Sequence, residues 1–214
     1  MFLNIEMTTT KDRMLFDTYV PTQESAKDSL KAYYFKASFN VFASKAEIEN
    51  GEEVAWIDDE DKVQVAKIVA SFIDEENCLN DDVDAFFMAD GENGDFGNAI
   101  YAMQHARAYK ELSVNKEWKP LFTVYMDAFY VYPEYRNKGI GTYLLNNIGE
   151  IFRIFTNKDI HAVGVILNPQ CLKGESMTEK EEAAMLRKMQ RLFKRAGYKK
   201  ISDECLMNNY GARD

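Results

Sequence analysis

The sequence predicts one domain of mixed α/β (α+β) class, in which a central, mixed and mostly antiparallel sheet is flanked by helices. Its 214 residues are 46% hydrophobic and 13% aromatic, which is enough apolar material for one sizeable core. Segments with the two-residue period of strands are interspersed with segments of helical spacing. No internal repeat and no low-complexity linker separates two parts of the chain. Residues 1–214 are therefore expected to form a single domain.

The N-terminal part predicts a strand, a helix and a hairpin. Residues 2–9 are expected to form an edge strand, and Pro21 is expected to open a helix, because proline fits the first helical turn. Residues 36–43 place apolar side chains at alternate positions, as a strand does. A turn around Gly51 and a return over residues 54–58 would complete a hairpin.

Helical spacing resumes after this predicted hairpin. Asp59 or Asp61 is expected to cap a helix. The apolar face of that predicted helix consists of Val65, Ile68, Val69, Phe72 and Ile73. The short apolar run over residues 85–89 fits either a strand or a helical turn. Asp95 is then expected to cap a second helix, which must end before Pro120.

The longest strand candidate covers residues 121–132. It is apolar on both faces and is therefore expected in the middle of the sheet. An amphipathic helix follows from Ile140, and a second strand is expected over residues 160–167. A strand, a helix and a strand of these lengths predict a parallel, right-handed crossover.

The C-terminal part predicts one more helix and one more strand. Thr178 and Glu181 form a capping box that opens the helix. Gly197 is expected to end the helix, because glycine adopts the left-handed conformation that follows many helices. Residues 198–203 are expected to form the final strand.

The segment between the long strand and the next helix has the most informative pattern. It reads Val-Tyr-Pro-Glu-Tyr-Arg-Asn-Lys-Gly-Ile-Gly over residues 131–141. Gly139 and Gly141 stand at the first positions of a helix, behind Arg136. Backbone N–H groups at that place have no partner within the helix and lie at the positive end of its dipole. The pattern therefore predicts a binding site for a diphosphate.

Residues 129–141, followed by Leu144 and Leu145, resemble the acyl-CoA-binding segment of the GNAT superfamily of N-acetyltransferases. The family pattern is a strand that ends in Val-x-Pro, followed by Arg/Gln-x-x-Gly-x-Gly/Ala, and this chain matches it residue for residue. The order of elements over residues 120–204 also fits, whereas residues 1–119 match loosely and form a divergent N-terminal part. The resemblance implies a GNAT-like acyl-CoA N-acyltransferase fold, acetyl-CoA as cosubstrate and a primary amine as acceptor.

The resemblance also implies which residues hold the cofactor. Main-chain groups of Phe129 and Val131 would pair with the pantetheine arm, as an added strand does. Asn168 could bond the pantetheine amides, although an Asn before a proline is first a turn former. Backbone N–H groups of the loop and the helix start would bind the pyrophosphate, and these belong to Arg136, Asn137, Lys138, Gly139, Ile140 and Gly141.

Acyl transfer to an amine needs a base that removes a proton from the ammonium group. Asp127 is the candidate, because simple alternation places its side chain on the same face as Phe129 and Val131. The alternative is a structural aspartate that is bonded to a neighbouring turn. Tyr125 is on the same face by the same reasoning and is a weaker candidate, for orienting water, with a role in the core as the alternative.

Two features depart from the pattern of many relatives. Those relatives carry a tyrosine in the last helix, four residues before a Gly-aromatic pair, and Phe193 stands at that place here. A phenyl ring cannot protonate the departing thiolate, so the alternative function is a catalytically silent GNAT-fold protein that binds CoA or a protein partner. The element Asn168-Pro169-Gln170 is similar to one in a poorly characterised bacterial branch of the superfamily.

The net charge of −9 is unevenly distributed along the chain. Residues 49–95 hold 16 Asp or Glu against Lys62 and Lys67, whereas residues 172–200 hold 9 Lys or Arg against 4 Glu. The acidic segment disfavours nucleic acid through phosphate repulsion. It favours a cationic acceptor, such as a polyamine-like, aminoglycoside-like or lysine-bearing one, with a plainly solvated surface as the alternative.

The rest of the composition favours a cytoplasmic protein. No apolar stretch approaches the ~18 residues needed to cross a bilayer, so no membrane association is expected. The N-terminus lacks the pattern of a signal peptide. Three scattered cysteines predict neither disulfides nor a zinc site, and the two histidines have no second ligand at metal spacing, so no metal is expected. A homodimer is left open.

Overall fold

The computed structural model describes residues 3–10, 33–50, 59–108, 122–168 and 178–210. The strands are β1 (Leu3–Thr10), β2 (Tyr34–Ser44), β3 (Lys62–Asp74), β4 (Phe122–Val131), β5 (Ala162–Ile166), β6 (Lys199–Lys200) and β7 (Cys205–Asn209). The helices are α1 (Lys45–Asn50), α2 (Glu75–Asn80), α3 (Ala85–Glu92), α4 (Gly94–Ala108), α5 (Ile140–Thr156) and α6 (Glu179–Arg195).

The seven strands form one sheet in the order β1-β2-β3-β4-β5-β7-β6. Among the described pairings, β4 and β5 are parallel and the others are antiparallel. The mixed, mostly antiparallel sheet and the parallel crossover through α5 are therefore confirmed.

Helices cover both faces of the sheet, so the sheet separates two cores. The first core lies between the sheet and α5 and α6, and it includes Phe39, Ile68, Phe72, Val124, Ile148, Phe152 and Phe193. The second core lies on the opposite face under α2, α3 and α4, and it includes Ile73, Phe96, Ile100, Met103, Tyr125 and Met207. Burial of this apolar surface, at about 25 cal/mol per Å², is the main force that holds the layers together.

The helix predicted after Asp61 is wrong, because residues 62–74 form β3. This strand pairs with β2 on one side and with β4 on the other, and residues 70–74 are all buried. A strand that is buried on both faces shows no polar alternation, so its apolar run resembles that of a buried helix. The β-branched residues of the segment favour the strand, and they are Val63, Val65, Ile68, Val69 and Ile73.

The predicted hairpin has the wrong partner. β2 confirms the strand predicted over residues 36–43, but its two edges bond to β1 and β3 and leave no edge for residues 54–58. β1 confirms the edge strand predicted over residues 2–9. Residues 54–58 themselves, and the helix predicted from Pro21, lie outside the described residues.

The second predicted helix is present, but its cap differs. The backbone N–H of Phe96 donates to Oδ1 of Asn93 at 2.7 Å, so Asn93 and not Asp95 caps α4. The apolar run over residues 85–89, which fitted a strand or a helix, is the start of α3.

The C-terminal elements follow the prediction except for the last strand. The capping box of Thr178 and Glu181 opens α6, and Gly197 lies beyond its end with a φ of +92°. The strand predicted over residues 198–203 is reduced to the two residues of β6. The main final strand is β7, because residues 202–204 bend the chain back onto β5.

Gly97 is a place where α3 and α4 approach closely. A Cβ atom added to it would lie 2.8 Å from the Cα of Asp90. We expect Gly97→Ala to lower the free energy of unfolding by about 1–3 kcal/mol, because the two helices must separate. Thermal unfolding followed by circular dichroism measures this loss. Gly94→Ala is the matched control, since nothing lies within 4 Å of the added Cβ; an equal loss in both variants would contradict the packing argument.

Candidate active site

β4 and β5 are neighbours in the sheet but pair over a short stretch. Their parallel pairs run from Thr123↔Ala162 to Tyr125↔Gly164. Beyond Tyr125 the strands separate, and a cavity of about 40 Å³ lies between them. This gap cavity is lined by β4, by the end of β5 and by α6, at Met126, Asp127, Phe129, Val165, Asn168 and Phe193.

A β-bulge in β4 coincides with the start of the gap. The register between β3 and β4 pairs Val69 with Ala128 but Ala70 with Met126. Asp127 is therefore the extra residue of β4, with no residue opposite it on β3. An extra residue bends the strand and reverses the alternation of side chains beyond it.

The bulge separates the face of Asp127 from that of Phe129 and Val131. Phe129 and Val131 pack against the first core. The carboxylate of Asp127 lies on the opposite face, where it meets the side chain of Ser71. The prediction that Asp127 shares a face with Phe129 and Val131 is therefore wrong, because simple alternation does not allow for the extra residue.

Two donors from neighbouring strands hold the carboxylate of Asp127. Ser71 Oγ donates to Oδ2 at 2.7 Å, and Lys36 Nζ donates to Oδ1 at 3.1 Å. The hydroxyl of Tyr34 lies 3.4 Å from Ser71 Oγ, so one polar row crosses β2, β3 and β4. The side chain of Asp127 is 14% exposed, which leaves the carboxylate partly accessible.

Burial raises the pKa of Asp127 above the usual range of a carboxyl group. The hydrogen bond from Ser71 and the charge of Lys36 oppose this rise, because both favour the ionised form. A carboxylate with a raised pKa takes up a proton more readily near neutral pH than an exposed one does. The environment of Asp127 therefore suits a general base.

A groove of about 290 Å³ lies beside the gap cavity and extends to the start of α5. The two cavities share Phe129, Tyr130, Met189 and Phe193 in their linings, so they adjoin along β4, and together they are called the channel. α6 forms the opposite wall of the groove.

The turn before α5 brings backbone amides to the groove. Gly139, the N-cap, has a φ of +83° and Asn137 a φ of +64°, which are left-handed conformations that Gly and Asn tolerate best. No side chain caps the helix at Gly139. The N–H groups of the first turn, which lines the groove, are thus available to an anion at the positive end of a 17-residue helix.

Comparison with known families agrees with this geometry. The model of the acetyltransferase (GNAT) family matches residues 15–155, which is most of the chain. The chain belongs to the GNAT acetyltransferase family. The match covers β2, β3, β4, the glycine turn and most of α5, so the likeness extends well into the N-terminal part. Membership supports acetyl transfer as the general class of function and acetyl-CoA as the cosubstrate.

Comparison with solved structures finds a likeness of low sequence identity. The crystal structure of Arabidopsis thaliana NAA60 in complex with acetyl-CoA is similar over 98% of this chain and 100% of that chain, with 8% sequence identity and a TM-score of 0.44. No curated protein matches the sequence. Within the described parts of the chain, no helix has both the length and the apolar character required to cross a membrane.

The fold of this GNAT protein brings most of the predicted cofactor residues to one groove. Asn168 lines the gap cavity instead. Lys138 is not part of either lining, because its Nζ donates to the carbonyl of Ile48 at 3.2 Å and ties the turn to α1. The predicted residues that line the groove are Phe129, Val131, Arg136, Asn137, Gly139, Ile140 and Gly141.

Arg136 is folded back onto the end of β4. Its Nε donates to the carbonyl of Val131 at 2.9 Å, and its guanidinium carbon lies 5.4 Å from the ring centre of Tyr130. These contacts fix the turn that carries the amides. The side chain of Arg136 therefore has a structural role in addition to its place in the groove lining.

Two aromatic residues differ in their relation to the channel. Tyr125 is 4% exposed and stacks on Phe96 in the second core, with ring centres 5.5 Å apart, which favours its role in the core. Phe193 lines both cavities, and its ring meets the ring of Phe129 edge to face at 6.0 Å. The phenyl group that replaces the usual tyrosine thus lies where the gap and the groove join.

Sequence reasoning missed two residues that contact Asp127. Lys36 and Ser71 could be paired with it only from the register of β2, β3 and β4, and the segment of Ser71 was predicted to be helical. The β-branched content of β3 was the one available signal. The residues that α6 contributes to the groove were also missed, because helical periodicity does not show which element a helix packs against. These residues are Met185, Lys188, Met189 and Leu192.

Removal of the Lys36 charge tests the polar row. We expect Lys36→Met to raise the pKa of Asp127 further, because the ammonium group favours the ionised carboxylate. Carbon-detected NMR titration of the Asp127 carboxyl measures the midpoint. Lys67→Met is the matched control, since Lys67 is exposed on the neighbouring strand. An unchanged midpoint in Lys36→Met would show that the two groups are not paired in solution.

Proposed function

We propose that this protein transfers the acetyl group of acetyl-CoA to a primary amine of a cationic acceptor. The observation that carries the proposal is the pair of adjoining cavities along β4, one lined by the glycine-capped helix start and the other by Asp127. The helix start can bind a diphosphate, and the carboxylate can accept a proton from an amine. The two cavities supply the two chemical requirements of acetyl transfer to an amine.

The backbone of β4 supports the proposed position of the pantetheine arm. The N–H of Tyr132 donates to the carbonyl of Val65 of β3 at 3.0 Å. Main-chain groups of successive residues point to opposite sides of a strand. Since those of Tyr132 point to β3, those of Val131 and Phe129 point away from β3 and into the channel. They would pair with the amides of pantetheine, and Asn168 would add a side-chain contact from the other side of the gap. Because Arg136 holds the Val131 carbonyl, its side chain moves if that carbonyl is used.

The proposed chemistry needs few groups of the protein. The acceptor ammonium loses a proton to Asp127, and the neutral amine attacks the carbonyl carbon of the thioester. The N–C bond forms, the C–S bond breaks, and CoA leaves as a thiolate. The nitrogen loses its second proton to water, and water returns one proton to the thiolate, so the products are a neutral amide and the CoA thiol. Water fills this role because Phe193 has no proton to give.

Charge supports a cationic acceptor. The carboxylate of Asp127 faces the side of the sheet that α2, α3 and α4 cover, and α2 and α3 belong to the acidic segment of the chain. Glu92 at the end of α3 lies close enough to contribute to the raised pKa of Tyr34 in the polar row. An ammonium group approaching Asp127 is therefore attracted over a wide area.

Phe193 favours one other function. A GNAT-fold protein without a proton donor at this place would bind CoA and act through a partner instead of by catalysis. Calorimetry with acetyl-CoA, followed by thiol release in a panel of polyamines, aminoglycosides and lysine peptides, separates the two. Binding with turnover supports the enzyme, whereas binding without turnover of any amine supports the silent protein.

Gly139→Glu tests the proposed diphosphate site. We expect calorimetry to show no binding of acetyl-CoA, because the added carboxylate lies among the amides that would hold the phosphates. Gly139→Ala is the matched control, since any residue is strained at a φ of +83° but alanine adds no charge. If the glutamate and alanine variants bind acetyl-CoA with equal affinity, the diphosphate does not bind at this turn.

Asp127→Asn tests the proposed base. We expect turnover to fall about 10²–10⁴-fold, as is typical for loss of a general base. The wild-type rate should decrease as the pH falls through the raised pKa of Asp127, and the variant should lose this limb of the profile. Glu134→Gln, an exposed change near the glycine turn, serves as the control. If Asp127→Asn keeps the wild-type pH dependence, another group is the base.

A further inference from the structure

The helices on the second-core face expose large apolar side chains. Among the described residues, Phe87 is 70% exposed, Tyr101 54% and Leu79 51%, and they belong to α3, α4 and α2 respectively. Single exposed apolar residues are common, but several on adjoining helices are typical of an interaction surface.

The aromatic side chains form one continuous row. The ring centres of Phe87 and Phe86 are 5.4 Å apart, those of Phe86 and Tyr101 are 5.8 Å apart, and those of Tyr101 and His105 are 4.2 Å apart. The row therefore crosses from α3 to α4 without a break. Its exposed rings present π faces and edges to solvent.

The surroundings of this row are acidic. Residues 74–95 contain nine Asp or Glu and no Lys or Arg. Asp84 and Asp90 stand three residues before and three residues after Phe87, and both are exposed. The Asp84 carboxylate caps the start of α3 by accepting from the backbone N–H of Phe86, and Asp90 lies one helical turn after Phe87 on the same side of the helix, so both carboxylate residues are within about one turn of Phe87.

The row is close to the proposed active site. Glu92 ends α3 and contributes to the raised pKa of Tyr34. Tyr34 in turn lies 3.4 Å from Ser71, which donates to Asp127. Phe87 precedes Glu92 by five residues, which is about 7.5 Å along the helix axis. The aromatic row and the carboxylate of Asp127 therefore lie on the same side of the sheet.

We propose that Phe86, Phe87, Tyr101, His105, Asp84 and Asp90 form an acidic–aromatic surface that docks a lysine-rich polypeptide segment. The inference rests on the proposed function, because one lysine of the docked segment would be the acceptor at Asp127. Lysine side chains can make two kinds of contact with such a surface: cation–π contacts with the rings and ion pairs with the carboxylates. A second copy of this chain fits poorly, since it would bring a net charge of −9 against the acidic helices.

Peptide binding measured without acetyl-CoA tests the surface directly. The probe is a fluorescein-labelled peptide of alternating lysine and glycine, and fluorescence anisotropy gives its affinity. We expect binding that weakens steeply with salt and no binding of the matched glutamate–glycine peptide. Absence of binding to the lysine peptide at low salt, or equal binding of both peptides, overturns the proposal.

Substitutions in the acidic–aromatic surface test whether the peptide binds there. We expect Phe87→Ala to weaken binding about fivefold through loss of the cation–π contact. The double change Asp84→Asn with Asp90→Asn should weaken it about threefold and reduce its salt dependence. Tyr101→Ala replaces Phe87→Ala if circular dichroism shows that the latter does not fold.

Matched controls come from the other parts of the protein. Ile154→Ala removes a 65% exposed apolar side chain from α5, and Asp203→Asn removes an exposed charge from the turn before β7. Equal weakening in these controls overturns the proposal, because the peptide would then bind through net charge alone. Self-association in sedimentation equilibrium that Phe87→Ala abolishes also overturns it, in favour of a second copy.

The failure of this inference and that of the proposed function differ in their results. If the protein does not bind acetyl-CoA and acetylates no amine, but still binds the peptide through Phe87, the proposed enzymatic function is wrong and the docking surface is supported. If the protein acetylates small amines but does not bind the peptide, the docking surface is wrong and the proposed enzymatic function is supported.

Discussion

The extra residue in β4 is the constraint on which the proposed site depends. Asp127 keeps the face of Tyr125, where its carboxylate meets Lys36 and Ser71. The extra residue reverses the alternation after it, so Phe129 and Val131 pack on the first core instead of following Asp127 onto the second face. The same bulge lies where β4 stops pairing with β5. One irregular residue thus accompanies both the opening that accommodates a ligand and the orientation of the candidate base.

The sheet separates two electrostatic environments. On the first-core side, the channel begins at the positive end of α5, and Lys188 of α6 is part of its lining, so this side attracts anions. On the second-core side, α2, α3 and α4 carry an excess of carboxylates and attract cations. A protein with a net negative charge can therefore bind a diphosphate without losing its attraction for an amine, since low-dielectric material lies between the two fields.

Several buried or half-buried polar groups around the site have hydrogen-bond partners. The Thr123 hydroxyl, which is buried, donates to Glu75 at 2.9 Å, and Asp74 accepts from the backbone N–H of Asn77 at the start of α2. Ser71 and Asp127 belong to the same face. Buried polar groups that have partners cost little stability and hold their geometry well. The contacts of Asp127 with Ser71 and Lys36 therefore give the candidate base a defined position.

The sequence by itself determined the fold class, the parallel crossover, the capping box of α6 and the residues of the glycine turn. Each of these depends on local patterns: periodicity, capping and a motif in which glycine and asparagine adopt left-handed conformations. It also predicted Asp127 as the candidate base. These features follow from interactions within a few residues, which the order of amino acids records directly.

Only the tertiary structure decided that residues 62–74 are a central strand, which face Asp127 occupies, and that Lys36 and Ser71 surround it. A strand between two others is buried on both faces, so it loses the alternation that would identify it. A bulge is defined by the register of two strands, and register is a property of pairing between distant segments. The sequence therefore specifies the chemical groups of the site, and the packing of the sheet decides which of them meet.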